Sequence, residues 1–170
     1  DSGFFSLSFL PDGLILDNAP WKIAEGNRLE KQGNRWIAEH FVFSQSDQSV
    51  GFITDDTTQK IVFSNFALQN AINIIKYSGS QRLLKGNLDG EVIFPVSGNE
   101  KYINAKLSIN PLYVRDSLVG KIFAEVKTKN DRMDLEFSFE NEQNTMHVTG
   151  DIDHLSGTPT LNLEAIIDIK

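Results

Sequence analysis

Apolar side chains fall on every second residue through most of the stretch 84–169, and no other feature of the chain constrains its fold as strongly. A period of two is the pleat of a β-strand, which sends alternate side chains to opposite faces of a sheet. Met133, Leu135, Phe137 and Phe139 alternate with Arg132, Asp134, Glu136 and Ser138 without exception. Met146, Val148 and Ile152 alternate with Thr145, His147, Thr149 and Asp151, and Leu161, Leu163, Ala165, Ile167 and Ile169 close the chain. Such alternation indicates an antiparallel sheet with one wet and one covered face. Short turns at Asn130-Asp131 and Asn141-Glu142 fit hairpins of a meander. The expected strands of about 8–13 residues span roughly 27–44 Å, longer than the usual five or six residues. They predict an all-β fold of long antiparallel strands in a curved, elongated sheet.

The first half is less regular. Strands are expected over 4–9, 14–16, 27–31, 35–44, 49–54 and 60–66, with a break at Asn18-Ala19-Pro20-Trp21. One short helix is predicted over 68–77, where Leu68, Ala71, Ile72 and Ile75 share a face. At about ten residues it would not persist alone in water, so it should lie against the sheet. All 170 residues read as a single β domain. Strand-like ends and an opening without Met or a basic region suggest a piece excised from a longer chain.

Composition excludes several functions. A net charge of −7 without a basic stripe disfavours nucleic acid and anionic head groups. The chain has no cysteine, which excludes thiol nucleophiles, disulfides and Cys-based metal sites. Phenylalanine dominates the aromatics, 12 against 3 Tyr and 2 Trp, a bias toward interiors or lipid-facing surfaces over sugar platforms.

The search for reactive groups favours no enzyme, cofactor or metal. His40, His147 and His154 make no ligand spacing, and His147 falls on a polar strand side. Asp151, Asp153 and His154 are too few for a calcium loop. Asp89 and Glu91 share a strand face at about 7 Å, a glycosidase-like spacing, yet nothing marks either as desolvated. Gly86-x-x-x-Gly90 lacks the Lys and helix of a phosphate loop. The apolar stripe itself has two readings. Pattern alone favours a β-sandwich core closed by a second sheet or the short helix; the other reading is an open lipid-binding groove.

Leu84-Lys85-Gly86-Asn87-Leu88-Asp89-Gly90-Glu91-Val92-Ile93-Phe94 resembles the recurrent strand of TamB and AsmA-like envelope proteins. Gly157-Thr158-Pro159-Thr160-Leu161-Asn162-Leu163 resembles their turn-to-strand repeat. Asn18-Ala19-Pro20-Trp21-Lys22-Ile23, Asn27, Gln48-Ser49-Val50 and Phe63-Ser64-Asn65-Phe66-Ala67-Leu68 follow the order of the TamB branch's central region. The resemblance implies a non-enzymatic segment of a long periplasmic β-structure, a trough with an apolar inside that shields phospholipid acyl chains. The parent would be anchored in the inner membrane and would work with an outer-membrane assembly protein of the Omp85 type. The trough's lining would be Leu84, Leu88, Val92, Phe94, Ile103, Leu107, Ile109, Leu118, Ile122, Leu135, Phe137, Phe139, Val148, Leu161, Leu163 and Ile167, with the helix capping part of it. The alternative from another class is a cell-surface or periplasmic β-sandwich that binds a protein or glycan.

Overall fold

The computed structural model describes residues 4–12, 14–16, 18–33, 35–70, 84–96 and 102–169. In chain order its strands begin with β1 (Phe4–Leu7), β2 (Leu14–Leu16), β3 (Ala19–Ile23), β4 (Arg28–Gln32), β5 (Arg35–Glu39), β6 (Phe41–Gln45), β7 (Gln48–Thr54) and β8 (Thr58–Ala67). The second half adds β9 (Leu84–Pro95), β10 (Asn104–Val114), β11 (Ser117–Lys129), β12 (Arg132–Glu140), β13 (Asn144–Asp153) and β14 (Thr160–Ile169). Eleven strands make one sheet in the order β14-β13-β12-β11-β10-β9-β8-β7-β6-β3-β2, and β1, β4 and β5 make a second, small sheet. From β6 onward each strand pairs antiparallel with the next in sequence, and the sheet does not close on itself. The fold is thus the expected all-β array of long antiparallel strands.

Two local expectations are corrected. The run 35–44 is two strands, because His40 takes a left-handed backbone (φ 49) and sends the chain from the small sheet to the large one. The break expected around Pro20 lies inside β3, where Pro20 pairs with Ile15 of the three-residue β2 at the sheet margin. Proline is tolerated there because little of the ladder depends on its missing N–H. Positive φ values at Arg115 and Asp116 make the hairpin turn between β10 and β11. Residues 68–70 are helical, and the rest of the helix expected over 68–77 lies outside the described residues.

Two devices bend the long strands. Register shifts occur between Phe63 and Phe66 of β8 and between Ile109 and Leu112 of β10. Such bulges add local twist. Gly90 sits in β9 with φ 128, and a Cβ built there would collide with the carbonyl oxygen of Lys106 on β10. Only glycine can hold that backbone so close to its neighbour.

Among the described residues the buried apolar ones are Trp21, Ile23, Ala38, Phe66 and Leu112, four of them in the N-terminal half. Asn27, also buried, ties that end together. Its Oδ1 accepts from the Phe9 N–H at 2.7 Å, and its Nδ2 donates to the carbonyls of Phe9 (2.8 Å) and Ala24 (2.9 Å). The accessible surface is 11454 Å², against about 8,400 Å² for a compact 19.1 kDa monomer by the usual scaling.

An apolar face as the candidate functional site

Cross-strand partners in an antiparallel ladder share a face, so the register follows one face from strand to strand. From Phe137 on β12 it passes through Val148 to Ala165 on one side. On the other it passes through Ala124 and Leu107 to Gly90 and Phe63. It continues through Val50, Phe43 and Ile23, with Trp21 and Leu14 next along the ladder. Every strand of the large sheet contributes to this face, and no ionisable side chain falls on it among the paired positions.

The register brings together Leu84, Leu88, Val92, Phe94, Leu107, Ile109, Ile122, Leu135, Phe137, Phe139, Val148, Leu161, Leu163 and Ile167. Ile103 joins them by strand parity with Ala105, and its backbone exchanges hydrogen bonds with the Thr128 hydroxyl (3.2 and 2.7 Å). Leu118 is the exception. A second register shift sets it opposite Tyr113, whose other neighbour is Lys85 on the wet face. The ladder therefore does not carry Leu118 onto the apolar side.

Sequence reasoning missed the N-terminal part of the same face: Trp21, Ile23, Phe41, Phe43, Val50, Phe52, Ile61, Phe63 and Phe66. Their alternation runs over only five to seven residues in β3, β6 and β7, and in the ten-residue β8 the shift between Phe63 and Phe66 breaks it. Aromatic contacts join them. Phe52 stacks on Phe94 at 6.2 Å, and Trp21 meets Phe66 at 6.0 Å.

Cover over this face differs along the sheet. At the N-terminal end Phe9 packs on Phe41 (5.8 Å) and Phe43 (6.3 Å). The small sheet leans on β7 and β8 there. The Gln59 amide donates to the Trp36 carbonyl at 2.9 Å, and the Ala38 N–H donates to the Thr54 hydroxyl at 3.0 Å. From β9 to β13 the described apolar side chains of the face are half-buried or exposed, with Leu112 the one buried, and β14 is exposed throughout.

The opposite face is a lattice of surface charge. Lys60 pairs with Glu91 (4.0 Å), Lys121 with Glu140 (3.1 Å), and Lys85 with Asp116. The hydrogen bond from Lys127 to Glu125 (2.7 Å) raises the lysine above its ordinary pKa. Asp134, by hydrogen bond, and Asp151, by charge, do the same for Arg132. Asp151 is thus held by Arg132 and by the Asn162 amide (3.0 Å), an ion-pair role. Asp89 accepts the Asn65 N–H at 2.7 Å, which pins the β8 bulge, and His147 sits opposite Ser138 on this face. Exposed pairs of this kind contribute little to stability. They keep one side of the sheet wet. Among the described residues no group of three or more His, Asp or Glu side chains is placed to hold a metal ion.

No protein-family model, curated protein or solved structure matches the chain.

Proposed function

We propose that the chain is a non-enzymatic, lipid-shielding segment of a TamB/AsmA-like envelope protein, working in the periplasm with its uncharged face against acyl chains. One observation carries the reading: an apolar face that runs through all eleven strands and whose described side chains from β9 onward are half-buried or exposed, Leu112 excepted. Soluble monomers rarely expose contiguous apolar areas beyond a few hundred Å², and larger ones mark binding surfaces. Each methylene moved from water onto such a face gains about 0.8 kcal/mol. A tail can lie along the strands while its head group stays in water. The order of motifs in the first half and the glycine-spaced strand 84–94 support the family assignment. In the full-length parent an inner-membrane anchor and an Omp85-type assembly protein would complete the route. The rival β-sandwich needs a second layer over the apolar face, and among the described residues the three-stranded sheet supplies one at the N-terminal end only.

The test is photo-crosslinking. A benzoylphenylalanine in place of Phe137 or Leu107, in the purified chain mixed with phosphatidylethanolamine–phosphatidylglycerol vesicles, should give phospholipid adducts by mass spectrometry. The same probe at Ser108, on the wet face, should give few. Equal yields at Phe137 and Ser108 would sink the proposal.

A further inference from the structure

β11 outruns its neighbour β12. Their pairing begins at Lys121 opposite Glu140, so Leu118 and Val119 have no partner on β12. The step between the two strands holds a hollow of about 560 Å³, bounded by Asn110-Pro111, by residues 118–121 and by Glu140 with the turn 141–143. Pro111, Leu118 and Val119 give it an apolar side, and Leu118, 60% exposed, is the residue that the ladder leaves off the apolar face. Asn110, Lys121, Glu140, Glu142 and Gln143 give it a polar side with one positive and two negative charges. Lys121 and Glu140 pair there at 3.1 Å.

Gly120 joins this hollow to the apolar face. It opposes Leu112 of β10, and a Cβ built on it would collide with the Glu140 carbonyl oxygen. Beyond it the face residues of β11 are Ile122, Ala124 and Val126, all half-buried. Larger side chains flank the small ones: Ala124 lies between Leu107 of β10 and Phe137 of β12. The strand is thus a low lane between two higher ones, with Ile122 the one large residue of its floor. From Gly120 to Val126 it spans about 20 Å, the length of an extended palmitoyl chain.

We propose that the hollow is a head-group site selective for phosphatidylethanolamine, whose acyl tail lies along β11. The inference rests on the lipid-shielding reading and adds to it a lipid class and a direction. Lys121 would face the phosphate, and Glu140 and Glu142 the ammonium. A primary ammonium carries three N–H donors, which carboxylate and amide oxygens of this lining can accept; the trimethylammonium of phosphatidylcholine has none. Phosphatidylglycerol would bring a negative charge without its own cation to a lining in which carboxylates outnumber lysine, on a chain of net charge −7. Pro111 and Leu118 would take the first methylenes where the tail turns onto the lane.

The test places benzoylphenylalanine at Phe139, opposite Ile122, or at Leu135, opposite Val126. Each purified variant is mixed with vesicles of equal phosphatidylethanolamine, phosphatidylcholine and phosphatidylglycerol carrying identical tails. Adducts should be enriched in phosphatidylethanolamine about fivefold over either competitor, the scale of one exposed charge pair. Fragmentation should place insertion near the glycerol from position 139 and near the tail's methyl end from position 135. Glu140→Gln with Glu142→Gln should erase the preference over phosphatidylcholine while the circular dichroism spectrum is unchanged. Adducts without head-group preference, or with the same insertion sites from both positions, would overturn this proposal and leave the lipid-shielding reading standing. No adduct from either position would overturn both.

Discussion

At one end of the large sheet Trp21 and Ile23 are 2% exposed, and Phe66 against Trp21 and Gln59 against the Trp36 carbonyl are buried too. At the other end Leu135, Phe137, Val148 and their neighbours on the same face remain half-buried, and β14 is bare. Both ends follow the same alternation, and the ladder shows that both belong to one face. They differ in what crosses over them. Phe9 and the small sheet lie across β6 to β8, bringing polar atoms that must be satisfied, hence the buried amides of Asn27 and Gln59. Alternation therefore tells which side chains share a face. Only a crossing element makes that face a core.

The strongest way to break this comparison is to truncate one aromatic side chain from each end. Trp21→Ala should cost about 3–5 kcal/mol, as for a buried aromatic that leaves a cavity. Phe137→Ala should cost less, about 1–2 kcal/mol, because its ring is only partly buried. Urea denaturation of both variants checks it. Equal losses would mean that the C-terminal face is covered after all, and would favour the sandwich reading.

Gly90→Ala should fall between the two, at about 1–3 kcal/mol, the scale of a residue forced into a sparsely populated backbone region. The new methyl would press on the Lys106 carbonyl, and φ 128 is a conformation L-residues rarely hold. Phe137 and Gly90 lie in the same uncovered half, so a larger loss at Gly90 would show that backbone shape, more than side-chain burial, maintains the open sheet there. A neutral Gly90→Ala would remove that distinction.

Much of this was legible in the sequence beyond residue 84, where strands of nine to thirteen residues repeat the period often enough to fix parity. Departures came where parity slips. Trp36 and Ala38 occupy even positions, and Phe41 and Phe43 odd ones; the slip at His40 marks the change of sheet. Ile109 and Leu112 straddle a similar slip, as do Phe63 and Phe66. Reading those phase changes as bulges or strand breaks would have placed each of them. Leu118 was assigned by parity along its own strand, which a bulge opposite Tyr113 defeats. The cover over β6 to β8 left no local trace, because Phe9 and Trp36 are distant in sequence from the strands they meet. Burial of a face is a long-range fact, and period-two patterning is short-range.

The smallest expected effect is a pH dependence at the hairpin where the small sheet attaches. Arg35 of β5 reaches the Asp55 carbonyl (3.4 Å) in the turn between β7 and β8. The Asp55 carboxylate accepts from the Thr58 hydroxyl (2.6 Å) and from the N–H groups of Thr57 (2.9 Å) and Thr58 (2.6 Å). Those bonds favour the charged form and lower its pKa from 3.8 to about 2. A carboxyl group with a depressed folded-state pKa binds protons more readily when unfolded, so its contribution is complete above pH 3.8 and is lost as pH falls toward 2. Other carboxylates titrate in the same window, so the informative quantity is a difference. Asp55→Asn keeps an oxygen acceptor but no titrating charge, and its urea midpoint should fall less steeply between pH 3.8 and about 2 than that of the unmodified chain. Parallel curves for the two proteins would show that the turn is held by Arg35 and the strands alone. An exposed group contributes modestly, so the effect should shift the acid limb without changing stability near neutrality by as much as Phe137→Ala does.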